Sequence, residues 1–230
     1  MNLHSVNEGS FIFLSRPKRC VIKKQDKPDK TNNDKYHQIL NAAIKVFADQ
    51  GYHKATISQV AREAGVADGT IYIYFKNKAD ILFNFFSYKT RRVFDRFKGE
   101  VEKAGLAEDK LRNLIRRHLG EFQRDPNMAV VFQREALQAR YIDDAYIKEI
   151  TKMYLDIIDD IIVQGQKEGS IRKDFQAGLV KRFILGAVNE VINTWVVAGI
   201  KYDLVDMADP LVDLYFKGIG LKSPECSVIS

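Results

Sequence analysis

Cysteine is scarce in this chain of 230 residues: Cys20 and Cys226 stand near its two ends, with no CxxC between them. That spacing excludes a disulfide framework and a cysteine zinc site, and it points to a reducing cytoplasm as the place of action. Long apolar runs are lacking as well. The best of them, residues 191–200, carries Asn193 and falls far short of the ~18 residues that span a bilayer. The opening MNLHSVNEGSFIFLS has no basic n-region and contains Glu8, so neither an export signal nor a membrane partner is expected. Catalytic signatures are missing too. There is no GxSxG, HExxH, P-loop or GxGxxG, and His4, His37, His53 and His118 are scattered, so an enzyme is not expected and no metal or cofactor is implied.

Positive charge is small in total and uneven in place. The net is +6, yet residues 1–33 alone hold seven basic and three acidic side chains. That segment reads as a basic, disordered N-terminal arm, which either tracks phosphates beside a recognition site or is a solvated tail. Residues 1–20 show no clear period, which leaves Val21 open as the native start. An apolar share of 46% is ample for a core, and no convincing alternating strand appears, so the fold class is all-α. The length suits a small head on a larger body.

The densest information lies in residues 56–82, TISQVAREAGVADGTIYIYFKNKADIL. Thr56 with Gln59 forms a capping box that opens a short helix, Ile57, Val60, Ala61 and Ala64 give it one apolar face, and Gly65 closes it. A second short helix begins at Asp68, and Asn77 with Asp80 at N3 signals the N-cap of a third. Two short helices across a tight turn are the plan of a helix-turn-helix that reads double-stranded DNA. At the leading end of the second helix Gly69 lets backbone approach a duplex, and the Thr70 hydroxyl and methyl suit a base edge. Tyr72 and Tyr74 offer phenol donors to DNA, with the packing of one of the two inside as the alternative, and Ile71 and Phe75 are expected in the core. Thr56 can meet a phosphate, and Lys54, Lys76 and Lys78 surround the unit with positive charge.

Asp34 is expected to cap a helix that precedes this unit and ends at Gly51. After it, a long amphipathic helix runs from Asn77 to about Gly105, and helices follow over residues 109–124, which Pro126 stops, and about 143–169. The last two, 177–200 and 204–219, carry more apolar surface than one neighbour covers. Gly186, Ala187, Ala198 and Gly199 permit close approach, so a homodimer through these last two long helices is expected, with a monomer core as the alternative. The organisation is thus an arm (1–33), a DNA-binding head (34–80) and a helical effector-binding and dimerisation body (81–222).

The spacing in AAIKVFADQGY together with TISQVAREAGVADGTIYIYFKNKADIL resembles the N-terminal DNA-binding domain of the TetR family of bacterial repressors. The resemblance implies a repressor that binds a palindromic operator as a dimer, with Thr56, Gly69, Thr70, Tyr72, Tyr74 and Lys78 at positions that commonly touch DNA. Ala67 departs from the Ser or Thr many members carry there, so Asp68 is a candidate both for capping and for DNA contact. The stretches NEVINTWVVAGIKYDLV and VADGTIYIYFKNK are similar to FadR-type members, which implies release by a small hydrophobic effector, a long-chain acyl-CoA, and control of fatty-acid degradation genes. A drug-efflux repressor with the same head, and a helical lipid carrier without DNA binding, are the alternative readings.

An acyl chain needs an apolar tunnel between helices, for which Phe86, Leu119, Phe122, Phe132, Tyr154, Ile158, Val188, Ile192 and Trp195 are candidates. Arg116, Arg117, His118, Arg134 and Arg140 are candidates for its phosphates. Asn189, Glu190, Asn193 and Thr194 are polar spots on an otherwise apolar helix. Some of these are expected to face a ligand and others the dimer edge.

Overall fold

The computed structural model of the chain describes residues 30–136 and 144–219, and Cys20, Cys226, Arg140 and most of the basic arm lie outside them. Among the described residues there is no strand. Nine α-helices follow one another: α1 (Lys30–Gln50), α2 (Ile57–Glu63), α3 (Asp68–Tyr74), α4 (Lys78–Lys103), α5 (Ala107–Arg124), α6 (Pro126–Val131), α7 (Asp144–Glu168), α8 (Ala177–Val197) and α9 (Ala208–Ile219). A π-helical turn, Phe132–Ala136, continues α6, and a single 3₁₀ turn, Val205–Met207, leads into α9.

Local chemistry sets these boundaries. The Thr56 hydroxyl accepts from the Gln59 amide at 3.2 Å while the Gln59 side chain accepts from the Thr56 amide at 2.8 Å, which is the capping box in both directions. Gly65 at φ 63° then turns the chain, and the Val66 amide closes on the Ala61 carbonyl at 3.0 Å. Asn77 caps α4 through the Asp80 amide at 2.9 Å, and Asp80 returns a carboxylate oxygen to the Lys76 amide at 2.9 Å.

Three expected boundaries are corrected. Helix α1 begins at Lys30, ahead of Asp34, so Asp34 lies inside a helix instead of capping one. Pro126 does more than stop α5: it is the first residue of α6, where its missing N–H costs nothing, and Asp125 caps that helix through the Met128 amide at 3.1 Å. Helix α8 stops at Val197, because Gly199 and Ile200 both take positive φ, 78° and 61°.

The head is α1 to α3, with Ile39, Phe47, Val60, Ala61, Ile71 and Phe75 at its centre. Helix α1 also packs on α4 and on α6, so the head rests on the body at two points. In the body, α5 lies at the centre against α4, α7, α8 and α9. Arg112 on α5 holds Glu108 at 2.7 Å and Asp209 of α9 at 2.9 Å, and Arg116 holds Asp209 at 2.5 Å. The Tyr215 hydroxyl of α9 donates to the Ile184 carbonyl at 3.1 Å, which fixes α9 on α8. The start of α5 has no side-chain cap of its own; Glu168, at the end of α7, accepts from the Ala107 amide at 3.1 Å instead.

Where α7 meets α5, Gly165 leaves no room for a side chain. A β-carbon there would stand 2.6 Å from Ile171 Cδ1 and 3.2 Å from the Ala107 β-carbon, and Ile171 is itself buried. Gly165→Val is therefore expected to cost roughly 1–3 kcal/mol by overpacking, which corresponds to a fall of ~2 °C or more in the thermal midpoint. An unchanged midpoint would mean that Ile171 yields without cost.

Candidate functional site

On the head, α3 presents an outward face set by what its other face buries. Ile71 and Phe75 are fully inside, whereas Tyr72 is 60% and Ile73 is 77% exposed. A β-carbon at Gly69 would meet nothing within 4 Å, so the fold itself does not demand glycine there; the position is open to an approaching surface. Thr70 sits half-buried beside it, and Lys54, Thr56 and Lys76 are exposed. Together with Tyr72, Thr56 and Lys76 border a shallow cavity of about 370 Å³ where the starts of α2 and α4 converge, a space that suits a phosphate group.

Three of the expected contacts are used differently. Tyr74 is the tyrosine that packs inside, half-buried with its ring 6.4 Å from those of Tyr36 and Phe75. Asp68 neither caps α3, whose N-cap Ala67 makes no side-chain bond, nor stands free for DNA: its carboxylate accepts from the Ser58 hydroxyl and ties α3 to α2. Lys78 departs furthest from a phosphate contact. Its ammonium donates to the carbonyls of Tyr52 at 2.8 Å, His53 at 3.2 Å and Ala55 at 2.7 Å, which uses all three of its protons, and it lies 4.9 Å from the centre of the Tyr52 ring. Lys78 thus closes the loop between α1 and α2.

The body holds an apolar cavity of about 140 Å³ between α4, α5, α6, α7 and α8. Of the residues expected to line it, Phe86, His118, Phe122, Phe132, Tyr154 and Asn189 do so. Leu119, Ile158, Val188, Ile192 and Trp195 do not; all are buried in the core behind it, and the Trp195 indole donates to the Tyr202 carbonyl at 2.8 Å. The missed lining comes mainly from α4, as Thr90, Val93, Phe94 and Phe97, with Met128 on α6 and Leu185 on α8. Its sequence signal was present: Phe86, Thr90, Val93 and Phe97 recur at the 3.6-residue period.

Of the groups expected to hold phosphates only His118 borders this cavity, and burial lowers its pKa to about 4, so it is no cation there; the described arginines among them are elsewhere. Arg116 is committed to Asp209, Arg134 is exposed elsewhere, and Arg117 borders neither this cavity nor its neighbour. The neighbour is a polar cleft of about 270 Å³ between α1, α4 and α5, lined by His37, Asn41, Tyr88, Lys89, Arg92, Arg96 and Glu121 among others. Lys89, Val93 and Glu121 line both spaces. Lys89 pairs with Asp125 at 2.9 Å and Arg96 with Glu121 at 3.3 Å, while Arg92 has no carboxylate partner among the described residues and donates to the Tyr88 hydroxyl. Burial, and then the charge of Arg92, lowers the pKa of His37. An apolar slot that opens beside a cluster of cations is matched to a ligand with a greasy tail and an anionic head.

Known proteins resemble this chain over most of its length. Residues 39–84 match the family described as bacterial regulatory proteins, tetR family, and residues 86–218 match the YsiA-like protein C-terminal region. The chain is 38% identical over 193 residues to the fatty acid metabolism regulator protein of Bacillus subtilis (strain 168), spanning 84% of this chain and 100% of that protein. It is similar to the solved fatty acid degradation regulator FadR of Bacillus halodurans, with TM-score 0.76 and 35% identity over 85% of this chain and 98% of that one. It is also similar to FadR of Bacillus subtilis in complex with stearoyl-CoA, with TM-score 0.73 and 38% identity over 80% of this chain and 99% of that one.

The two lysines at the start of α4 separate a positioning role from a phosphate role. Lys76→Ala is expected to leave the melting midpoint unchanged and to reduce the salt slope of DNA binding by about one. Lys78→Ala, which strands three carbonyls, is expected to lower stability by about 1–3 kcal/mol as well. Thermal melts read beside DNA titrations at several salt concentrations check both. A Lys78→Ala protein as stable as the parent would return that side chain to the role of a simple phosphate ligand.

Proposed function

Since this chain belongs to the TetR family of bacterial regulatory proteins, we propose that its head reads a palindromic operator as one half of a homodimer, and that a long-chain acyl-CoA releases it. It is a transcriptional regulator of fatty-acid metabolism and not an enzyme. The observation that carries the effector reading is the pair of adjoining spaces, one apolar and one basic, that share Lys89, Val93 and Glu121. The acyl chain fills the apolar cavity, against Phe86, Phe122, Phe132 and Tyr154. The CoA phosphates lie in the cleft, where Arg92 is a cation with no carboxylate partner among the described residues. Head, residues 34–80, and body, residues 81–222, divide the two tasks.

Both spaces are walled by α4, whose first turn is bonded to the head through Lys78. An effector that binds better to one setting of α4 shifts the population of heads toward it, by its differential affinity and no more. DNA and effector therefore oppose each other reciprocally.

The homodimer reading rests on exposed apolar side chains along α8 and α9. Leu179, Phe183, Val197 and Leu214 are 63%, 58%, 77% and 68% exposed, large apolar side chains of the kind an interface covers. Their copies on a second chain would cover them across a two-fold axis, and two heads then span half-sites about 34–36 Å apart, or a multiple of it.

Stearoyl-CoA at micromolar concentration is expected to release the protein from a fragment upstream of its own gene, while octanoyl-CoA and free CoA release little. Arg92→Glu should weaken stearoyl-CoA about tenfold or more with the melting midpoint unchanged, and operator occupancy followed by fluorescence anisotropy reads both. No release by any long-chain acyl-CoA would sink the effector assignment. For the interface, Phe183→Glu with Leu214→Glu is expected to yield a monomer by light scattering where the parent gives a dimer; a monomeric parent would defeat the dimer reading.

A further inference from the structure

Inside the apolar cavity stands one polar pair that neither the DNA-contacting face nor the phosphate cleft uses. His118 Nδ1 and the Tyr154 hydroxyl are 2.9 Å apart, both residues line the cavity, and their rings meet edge to face at 4.9 Å. Aromatic neighbours enclose the imidazole, with Phe97 at 6.0 Å and Phe122 at 5.5 Å between ring centres. Burial pushes the His118 pKa down to about 4 and raises that of Tyr154, so at neutral pH both are uncharged.

A proton count then fixes what the pair can do. A neutral imidazole carries one N–H and a phenol one O–H, which makes two donors. Their single mutual hydrogen bond uses one. Whichever way that bond runs, one donor is left: Nε2–H if tyrosine donates, the tyrosine O–H if histidine donates. No described residue takes it. His118 is half-buried and both residues line the cavity, so the left-over donor lies where an occupant that brings an acceptor oxygen is favoured over one that does not.

Position selects which oxygen. His118 is three residues from Glu121 on α5, hence one helical turn, roughly 5 Å, from a side chain that borders both the cavity and the basic cleft. An acyl thioester has its carbonyl at that same junction between anionic head and greasy tail. We propose that the His118–Tyr154 pair donates a hydrogen bond to the thioester carbonyl oxygen of the bound acyl-CoA, and so distinguishes an acyl group from a plain alkyl chain. The proposal rests on the acyl-CoA reading above. Lys89, Thr90, Thr151 and Asn189 also line the cavity and are the rival donors. Lys89 is paired with Asp125 at 2.9 Å, and a helical threonine hydroxyl can be satisfied by its own preceding turn, which leaves the Asn189 amide as the rival to exclude.

The test compares stearoyl-CoA with its thioether analogue, S-octadecyl-CoA, which replaces the carbonyl by a methylene. The parent protein is expected to bind the thioester about tenfold more tightly. Each single variant, His118→Phe or Tyr154→Phe, leaves one donor in place and retains some preference, whereas the double variant brings the ratio near one by weakening the thioester alone. Asn189→Ala keeps the preference. Infrared spectra of carbonyl-labelled stearoyl-CoA bound to the parent protein need no variant to fold, and a carbonyl band lowered relative to apolar solvent is expected. Equal binding of thioester and thioether by the parent, an unshifted carbonyl band, or loss of preference in Asn189→Ala would each overturn the proposal while the acyl-CoA reading stands. Failure of both ligands to bind would overturn the two together.

Discussion

The unbroken backbone hydrogen bonding of α4 constrains the rest of this molecule, because a helix of 26 residues without a proline transmits a tilt from one end to the other. Its first turn is tied to the head by Lys78, whose ammonium donates to the Tyr52, His53 and Ala55 carbonyls. One turn on, Asn84 donates to the Asp80 carboxylate at 2.9 Å and accepts from the Tyr36 hydroxyl of α1 at 3.0 Å. Two turns further, Lys89 and Val93 face both cavities. Whatever occupies those cavities acts on the same rod that holds the head.

A second point of support runs beside the first. Helix α6 packs on α1, and its residue Met128 lines the apolar cavity while its cap, Asp125, pairs with Lys89. The head is thus borne by two elements that both wall the apolar cavity. Half-exposed ion pairs such as Lys89–Asp125 contribute at most about 1 kcal/mol, so they set alignment without blocking a change of setting.

What was legible in the sequence is what local chemistry decides. The capping box at Thr56, the N-cap at Asn77, the turn at Gly65, and the burial of Ile71 and Phe75 each follow from residues within one or two turns of one another. What was not legible depends on partners far along the chain. Leu119, Ile158 and Ile192 have the same apolar character as Phe86 and Phe122, and which of them faces a void is fixed by how five helices cross. Arg116 looks like a phosphate ligand until Asp209, 93 residues later, takes its guanidinium. Lys78 shows the same effect at shorter range: its three carbonyl partners belong to a loop some 25 residues earlier, and backbone acceptors leave no mark in a sequence pattern.

The energetics of release follow from the two halves of the ligand site being unlike. On the proposed reading, phosphates at Arg92 and its neighbours remain near water, where salt screens them and where Glu121 and Asp125 compete for the same cations. They orient the ligand and give it a class, but they distinguish poorly between one CoA ester and another. The chain does the opposite. Each methylene buried contributes about 0.8 kcal/mol, so two of them approach the ~1.4 kcal/mol that is a factor of ten in affinity. Until the chain reaches the end of the slot, affinity rises steeply with length, and beyond that end an added methylene finds no wall. The walls at issue, Phe86, Phe94 and Phe97 on α4 and Met128 on α6, belong to the two elements that carry the head. A chain long enough to press on both is one whose length is read as a displacement, whereas a shorter one can bind without choosing between the two settings and so release nothing.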